Sequence, residues 1–144
     1  MATHKICVNE LTTSSVPYTH SVTCTSPRHT PVAIGSDAGV SLYYVTLNGT
    51  SNPPTISFSY DVNMQYQWLD QGVTMNDYCY VPSLSGSVSL GLGTKTCCGS
   101  PSISYSAVVT NMNTTPTYVA GTVNAAFTID NICYETSFKV DDVP

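Results

Sequence analysis

The sequence predicts an all-β chain, folded as a two-sheet antiparallel β-sandwich of jelly-roll-like plan with about eight or nine strands. Three observations predict it. In residues 56–68, Ile56, Phe58, Tyr60, Val62, Met64, Tyr66 and Trp68 alternate without a miss against Ser57, Ser59, Asp61, Asn63, Gln65 and Gln67. A less bulky version of the pattern returns in Val119, Gly121, Val123, Ala125, Phe127 and Ile129. Shorter alternations fill the rest of the chain, punctuated by Gly, Pro and Asn, and no segment of useful length has a period of 3.6. A period of two sends successive side chains to opposite faces of a strand, so each run reads as a strand with one buried and one wet face.

The elements follow in order. Residues 1–15 are polar and read as an extended N-terminal arm, ahead of a single β-sandwich domain at 16–144. Strands are expected at Val16–Cys24, Val40–Leu47, 56–68, Val73–Val81, Val88–Leu92, Ile103–Val109, 119–129 and Ile132–Val140. Between them lie Ser26-Pro27, Gly35-Ser36-Asp37, Asn48 to Pro54, Gln71-Gly72, Pro82 to Gly86, Cys98 to Pro101 and Asn111 to Pro116, all rich in turn-forming residues. A strand as long as 56–68 bends around a sandwich edge or passes between sheets. The chain has the size of one domain.

Charged residues make up 9% of the chain, four basic against nine acidic, where a globular protein ordinarily carries roughly 25%. Lys5, Arg28, Lys95 and Lys139 are scattered, which excludes the clustered cations that nucleic acid or an anionic membrane requires. No apolar run approaches the roughly 20 residues of a transmembrane helix. The surface must be covered by Ser, Thr, Asn, Gln and Tyr, and such a neutral surface is permissive for association, so a homo-oligomer or polymer is the expected partner state.

No catalytic constellation is legible. His4, His20 and His29 lack zinc-motif spacing, and no G-x-S-x-G elbow occurs. In Gly91-Leu92-Gly93-Thr94-Lys95-Thr96 a threonine stands where a phosphate-binding loop needs glycine before the lysine. The expectation is a non-enzymatic protein without cofactor or metal. A glycan-binding surface is the second functional reading, because aromatic faces stack on sugar rings while acids and amides fix hydroxyls. Its candidates are Tyr66, Trp68, Asp70, Asn76, Asp77 and Tyr78, against the plainer reading that Tyr66 and Trp68 continue the buried face of their strand. Asn48-Gly49-Thr50 and Asn113-Thr114-Thr115 are glycosylation sequons, relevant if a eukaryote secretes the chain.

The cysteines are the most specific chemical pattern: Cys7 in the arm, Cys24 at a strand end, Cys79 in mid-chain, adjacent Cys97 and Cys98, and Cys133 near the last strand. Six in a chain of this size point to disulfides and an oxidising or extracellular destination, although Met1 to Leu11 has no apolar core of a signal peptide. Adjacent cysteines rarely bond each other, so Cys97 and Cys98 are expected to reach different partners. Three arrangements stay open: three bridges within the chain, a cross-link from Cys7 to a neighbouring subunit, or free thiols.

A cysteine-bearing N-terminal arm, an early-strand cysteine and a late-strand cysteine on a Ser/Thr/Asn-rich sandwich resemble the subunits of bacterial endospore appendages. In that family jelly-roll subunits stack into fibres through disulfides from an N-terminal connector, and no signal peptide is used. The resemblance implies Cys7 as connector cysteine, Cys24 and Cys133 as candidate acceptors, and a spore-surface location. The family's connectors typically hold paired cysteines, whereas the pair here is internal, at 97 and 98. The functional expectation is an extracellular or surface structural subunit that self-assembles into a fibre or coat, with a carbohydrate-binding lectin-like module as the alternative.

Overall fold

The two strongest alternations become the middle strands of two sheets. The computed structural model describes residues 2–48, 54–90 and 102–140, with side chains described over 15–48, 54–90 and 102–129. Its strands are β1 (Ala2–Cys24), β2 (Ala33–Asn48), β3 (Thr55–Asp70), β4 (Val73–Ser89), β5 (Ser102–Thr115) and β6 (Tyr118–Val140). They form sheets in the order β1-β6-β5 and β2-β3-β4, antiparallel at every pairing. The sheets pack face to face as a β-sandwich, and no described helix is long and apolar enough to cross a membrane.

A middle strand has neighbours on both sides and a sheet opposite, so it covers every second side chain it carries. Accordingly Ile56, Phe58, Tyr60, Val62, Met64 and Tyr66 of β3 are buried, as are Val119, Val123, Ala125, Phe127 and Ile129 of β6. Phe58 and Phe127 meet with ring centroids 4.6 Å apart, and Tyr18 of β1 stands edge-on to Phe58 at 4.9 Å. Truncating a core phenylalanine to alanine typically removes about 3–5 kcal/mol. The polar end of this aromatic cluster is satisfied internally, because the Tyr18 and Tyr60 hydroxyls hydrogen-bond at 3.0 Å.

The described strands number six rather than eight or nine, because two expected breaks are absorbed into longer strands. Pro82 to Gly86, expected as a turn, lies within β4 as a bulge: Tyr60 pairs with Leu84 and Val62 with Val81, so Pro82 and Ser83 together oppose Asp61. Ser83 has φ 60°, the left-handed region where the chain turns out of the ladder. The expected strands at 119–129 and Ile132–Val140 likewise run on as β6. Gly35-Ser36-Asp37 sits in a register shift of β2 between Ile34 and Ala38, and the turn expected from Asn111 to Pro116 shrinks to Pro116-Thr117, since Thr115 already pairs with Tyr118.

The Gln71-Gly72 turn is found as expected. Asp70 pairs with Val73, and Gln71 and Gly72 have φ 51° and 82°, the double positive φ of a type I′ hairpin. Residues 2–15, expected as an arm, are extended and pair along β6. Beyond Ser102, which pairs with Asp130, β1 and β6 continue as a two-stranded ribbon from Thr12 opposite Ile132 to Ala2 opposite Val140.

Candidate functional site

The outer face of sheet β2-β3-β4 collects most of the polar chemistry among the described side chains. Asp61 is the single acid in the wet series of the 56–68 alternation, and it stands opposite the β4 bulge. Its Oδ1 accepts hydrogen bonds from the Ser83 backbone N–H at 2.8 Å and the Tyr43 hydroxyl at 3.0 Å, and its Oδ2 accepts one from the Tyr80 hydroxyl at 2.8 Å. The carboxylate thus ties together all three strands of the sheet. The Ser83 amide, followed by the Tyr80 and Tyr43 hydroxyls, holds the Asp61 carboxyl below its ordinary range, and the same carboxylate raises both tyrosines.

A second network lies further along the same face. The Tyr78 hydroxyl donates to Asp37 Oδ2 at 2.8 Å and accepts from Gln65 Nε2 at 3.3 Å. Gln65 Oε1 accepts from the backbone N–H groups of Ser36 at 3.0 Å and Asp37 at 3.2 Å, which pins the β2 irregularity to the middle strand. The Asp37 carboxylate raises Tyr78 above the usual phenol range. Asp61 accepts from two phenols and a backbone amide and Asp37 from one phenol, so this face is braced and polar, with the acids acting as acceptors for neighbouring donors.

Next to the Asp61 network is a shallow trough of about 540 Å³ lined by Tyr44, Ser57, Phe58, Ser59, Ser85, Gly86 and Ser87. Tyr44 lies in the second register shift of β2, between Tyr43 and Thr46. It is 79% exposed with φ 53°, a conformation uncommon for a bulky residue, and it presents its ring to solvent beside serine hydroxyls. Sequence reasoning missed both Tyr44 and the Asp61 network. The network's partners are far apart in the chain, and the available signal was a lone acid at the wet positions of a long strand.

The glycan-binding candidates divide between an inner-face cluster of Tyr66, Trp68 and Asp77 and the exposed Asp70, Asn76 and Tyr78. Tyr66 is fully buried; its hydroxyl accepts from the His29 backbone N–H at 3.1 Å and donates to Asp77 Oδ2 at 3.4 Å, and burial raises it above the usual phenol range. Trp68 is covered by the His29 ring, stacked at 3.6 Å and 7°, and its buried indole N–H has no hydrogen-bond partner among the described residues. Asp77 closes this cluster, with His29 Nε2 3.7 Å from its Oδ2. Tyr66, Trp68 and Asp77 are therefore inner-face residues at one end of the sandwich, while Asn76 and Tyr78 are exposed on β4 and Asp70 is exposed beside the β3–β4 turn. The plainer reading of Tyr66 and Trp68 as a continued buried face is the one the geometry follows.

Cys24 of β1 and Cys79 of β4 form a disulfide with Cα atoms 6.2 Å apart, joining the two sheets. Cys24, a candidate acceptor for a neighbouring subunit under the endospore resemblance, is thus engaged within its own chain. Cys7 and Cys133 fall on β1 and β6 at positions whose side chains lie outside the described residues, and Cys97 and Cys98 lie outside them altogether. No family model, no curated protein and no solved structure matches this chain.

Proposed function

We propose that the chain is a non-enzymatic structural subunit, exposed outside the cell or on a cell or spore surface, that self-associates into a fibre or coat. The observation that carries this reading is the outer face of sheet β1-β6-β5. Its rows run Ser21, Thr122, Thr110; Thr19, Asn124, Val108; Pro17, Ala126, Ser106; and Ser15, Thr128, Ser104. Every one of these side chains is uncharged and most are small. Two such faces meet without desolvating a charge, which is the principal cost that keeps ordinary protein surfaces apart. The inter-sheet disulfide supports a destination that is oxidising.

The test is electrophoresis of native material in strong denaturant, with and without reductant, together with electron microscopy of the concentrated protein. Ordered filaments or sheets are expected, with a covalent ladder if the remaining cysteines link subunits. A monomer at all concentrations that forms no ordered assembly overturns the reading. Carbohydrate binding is the second reading, favoured by the exposed Tyr44 ring over serine hydroxyls; glycan-array binding abolished by Tyr44→Ala in a folded protein would transfer the assignment to it.

A further inference from the structure

We infer that β5 is the edge through which a second copy of this chain docks, continuing sheet β1-β6-β5 across an antiparallel β5–β5 pairing. The inference rests on the self-association reading and names its interface. An edge strand offers a row of unpaired N–H and C=O groups, and folded proteins ordinarily block such rows with proline, charge, bulges or shortness.

Three of the four edges of the described sheets are blocked in those ways. β1 carries Pro17 in its sandwich portion and two register shifts further out. β2 is broken by shifts at Ile34/Ala38 and Tyr43/Thr46, with Asp37 in the first. β4 has Asp77 on its inner face and the Pro82-Ser83 bulge. β5 is the exception over most of its length: Ser102–Thr115 contains no proline, glycine or charged residue, and its one register shift with β6, between Thr110 and Asn113, comes after an unbroken run from Ser102 to Thr110. Among the described residues β5 pairs only with β6.

The side chains of β5 agree with a partner at this edge. Tyr105 stands on the inner face opposite Phe127, yet it is 47% exposed, and Val108 on the outer face is 56% exposed. An antiparallel pairing that overlaps the whole unbroken run centres on Ser106. It sets Ser102 against Thr110 of the second copy, Ile103 against Val109, Ser104 against Val108 and Tyr105 against Ala107. Opposed residues of an antiparallel pair share a face, so the core-facing series of one copy continues into that of the other, and Tyr105 gains a cross-strand neighbour for its exposed ring. The pairing is isologous and closes a dimer, leaving the neutral outer face to join dimers further.

Ser106→Lys tests the pairing, because the residue is exposed in the monomer but opposes itself in the dimer, where like charges face each other. Sedimentation of the wild type is expected to show a concentration-dependent dimer, with amide exchange across 102–110 slowing as concentration rises. The Ser106→Lys protein is expected to sediment as a monomer, to keep the wild-type melting temperature and to lose the concentration dependence of exchange. A wild type that associates with unchanged exchange at 102–110, or a Ser106→Lys protein that still dimerises, overturns the β5 assignment while leaving self-association standing. A wild type monomeric at every concentration overturns both.

Discussion

Replacing Cys24 and Cys79 together by alanine separates the two sheets' covalent tie from their packing. The bridge closes a sequence separation of 55, and the loop-entropy relation for that length gives a denatured-state cost of about 14 cal/mol/K, or about 4 kcal/mol at 25 °C. The native side adds to the loss in the same direction, because both cysteines are buried in the core and alanine leaves part of each sulfur's volume empty. With a urea m-value of about 2 kcal/mol/M for a chain of this size, the unfolding midpoint should fall by roughly 2 M. The measurement is paired urea titrations of wild type and variant by tryptophan fluorescence and far-ultraviolet circular dichroism, with the two probes required to coincide. A shift under about 0.5 M between two folded proteins would refute the reasoning. So would alkylation of Cys24 and Cys79 in denatured wild type without reductant, which would remove the premise.

Two further outcomes follow from single residues. Gly86 sits where an added Cβ would lie 2.8 Å from Phe58 and 2.9 Å from the Tyr18 ring, so Gly86→Ala should destabilise by about 1–3 kcal/mol through displaced core rings, and a neutral urea midpoint would count against the packing at that end. Asp61 is held below its ordinary value of 3.8, so its contribution is fully present above that value and is lost as pH falls through the lowered one. As pH falls below about 4 the Ser83 amide should lose protection and approach its intrinsic exchange rate, and this acid dependence should vanish in Asp61→Asn.

The middle strands were the most legible part of the fold, for a physical reason. From Ile56 to Tyr66 in β3 and from Val119 to Ile129 in β6 the inward side chains are buried, so burial imposes a clean period of two on the sequence, and Ile56 to Tyr66 reads directly as core. The edge strands lack that constraint on one side, and their bulges insert residues that shift the period. Pro82-Ser83 and Gly35 to Asp37 therefore looked like turns, since a bulge and a turn call on the same residues. Among the described strands the count differs at Pro82 to Gly86 in β4 and at Asp130-Asn131 in β6, each of which lies inside one continuous strand. The candidate site was less legible because hydrogen-bond partners such as Asp61 and Ser83, or Gln65 and Ser36, are brought together by register alone. Trp68 drew attention as an aromatic near acids, but the His29 ring that covers it comes from the β1–β2 connection, which no local pattern links to β3.

The scarcity of charge and the treatment of the edges belong to one physical problem. Surface charge ordinarily keeps folded chains apart, and this chain has little of it: among its few acids, Asp37 accepts from Tyr78, and Asp61 from Tyr43, Tyr80 and the Ser83 amide. Separation must then come from backbone irregularity, and the non-glycine residues with positive φ include Tyr44 in β2 and Ser83 in β4, at the bulges of two edges. Such conformations persist only where surrounding structure overdetermines them, and Asp61 supplies that constraint from the middle strand by holding the Ser83 amide and the hydroxyl of Tyr43, the neighbour of Tyr44. In β5 the same device appears at Asn111, after the regular run has ended, so the stretch from Ser102 to Thr110 stays straight. Under the proposed β5 pairing, three irregular edges and one regular run confine association to one direction within the sheet, which is the condition for an ordered assembly instead of an amorphous one.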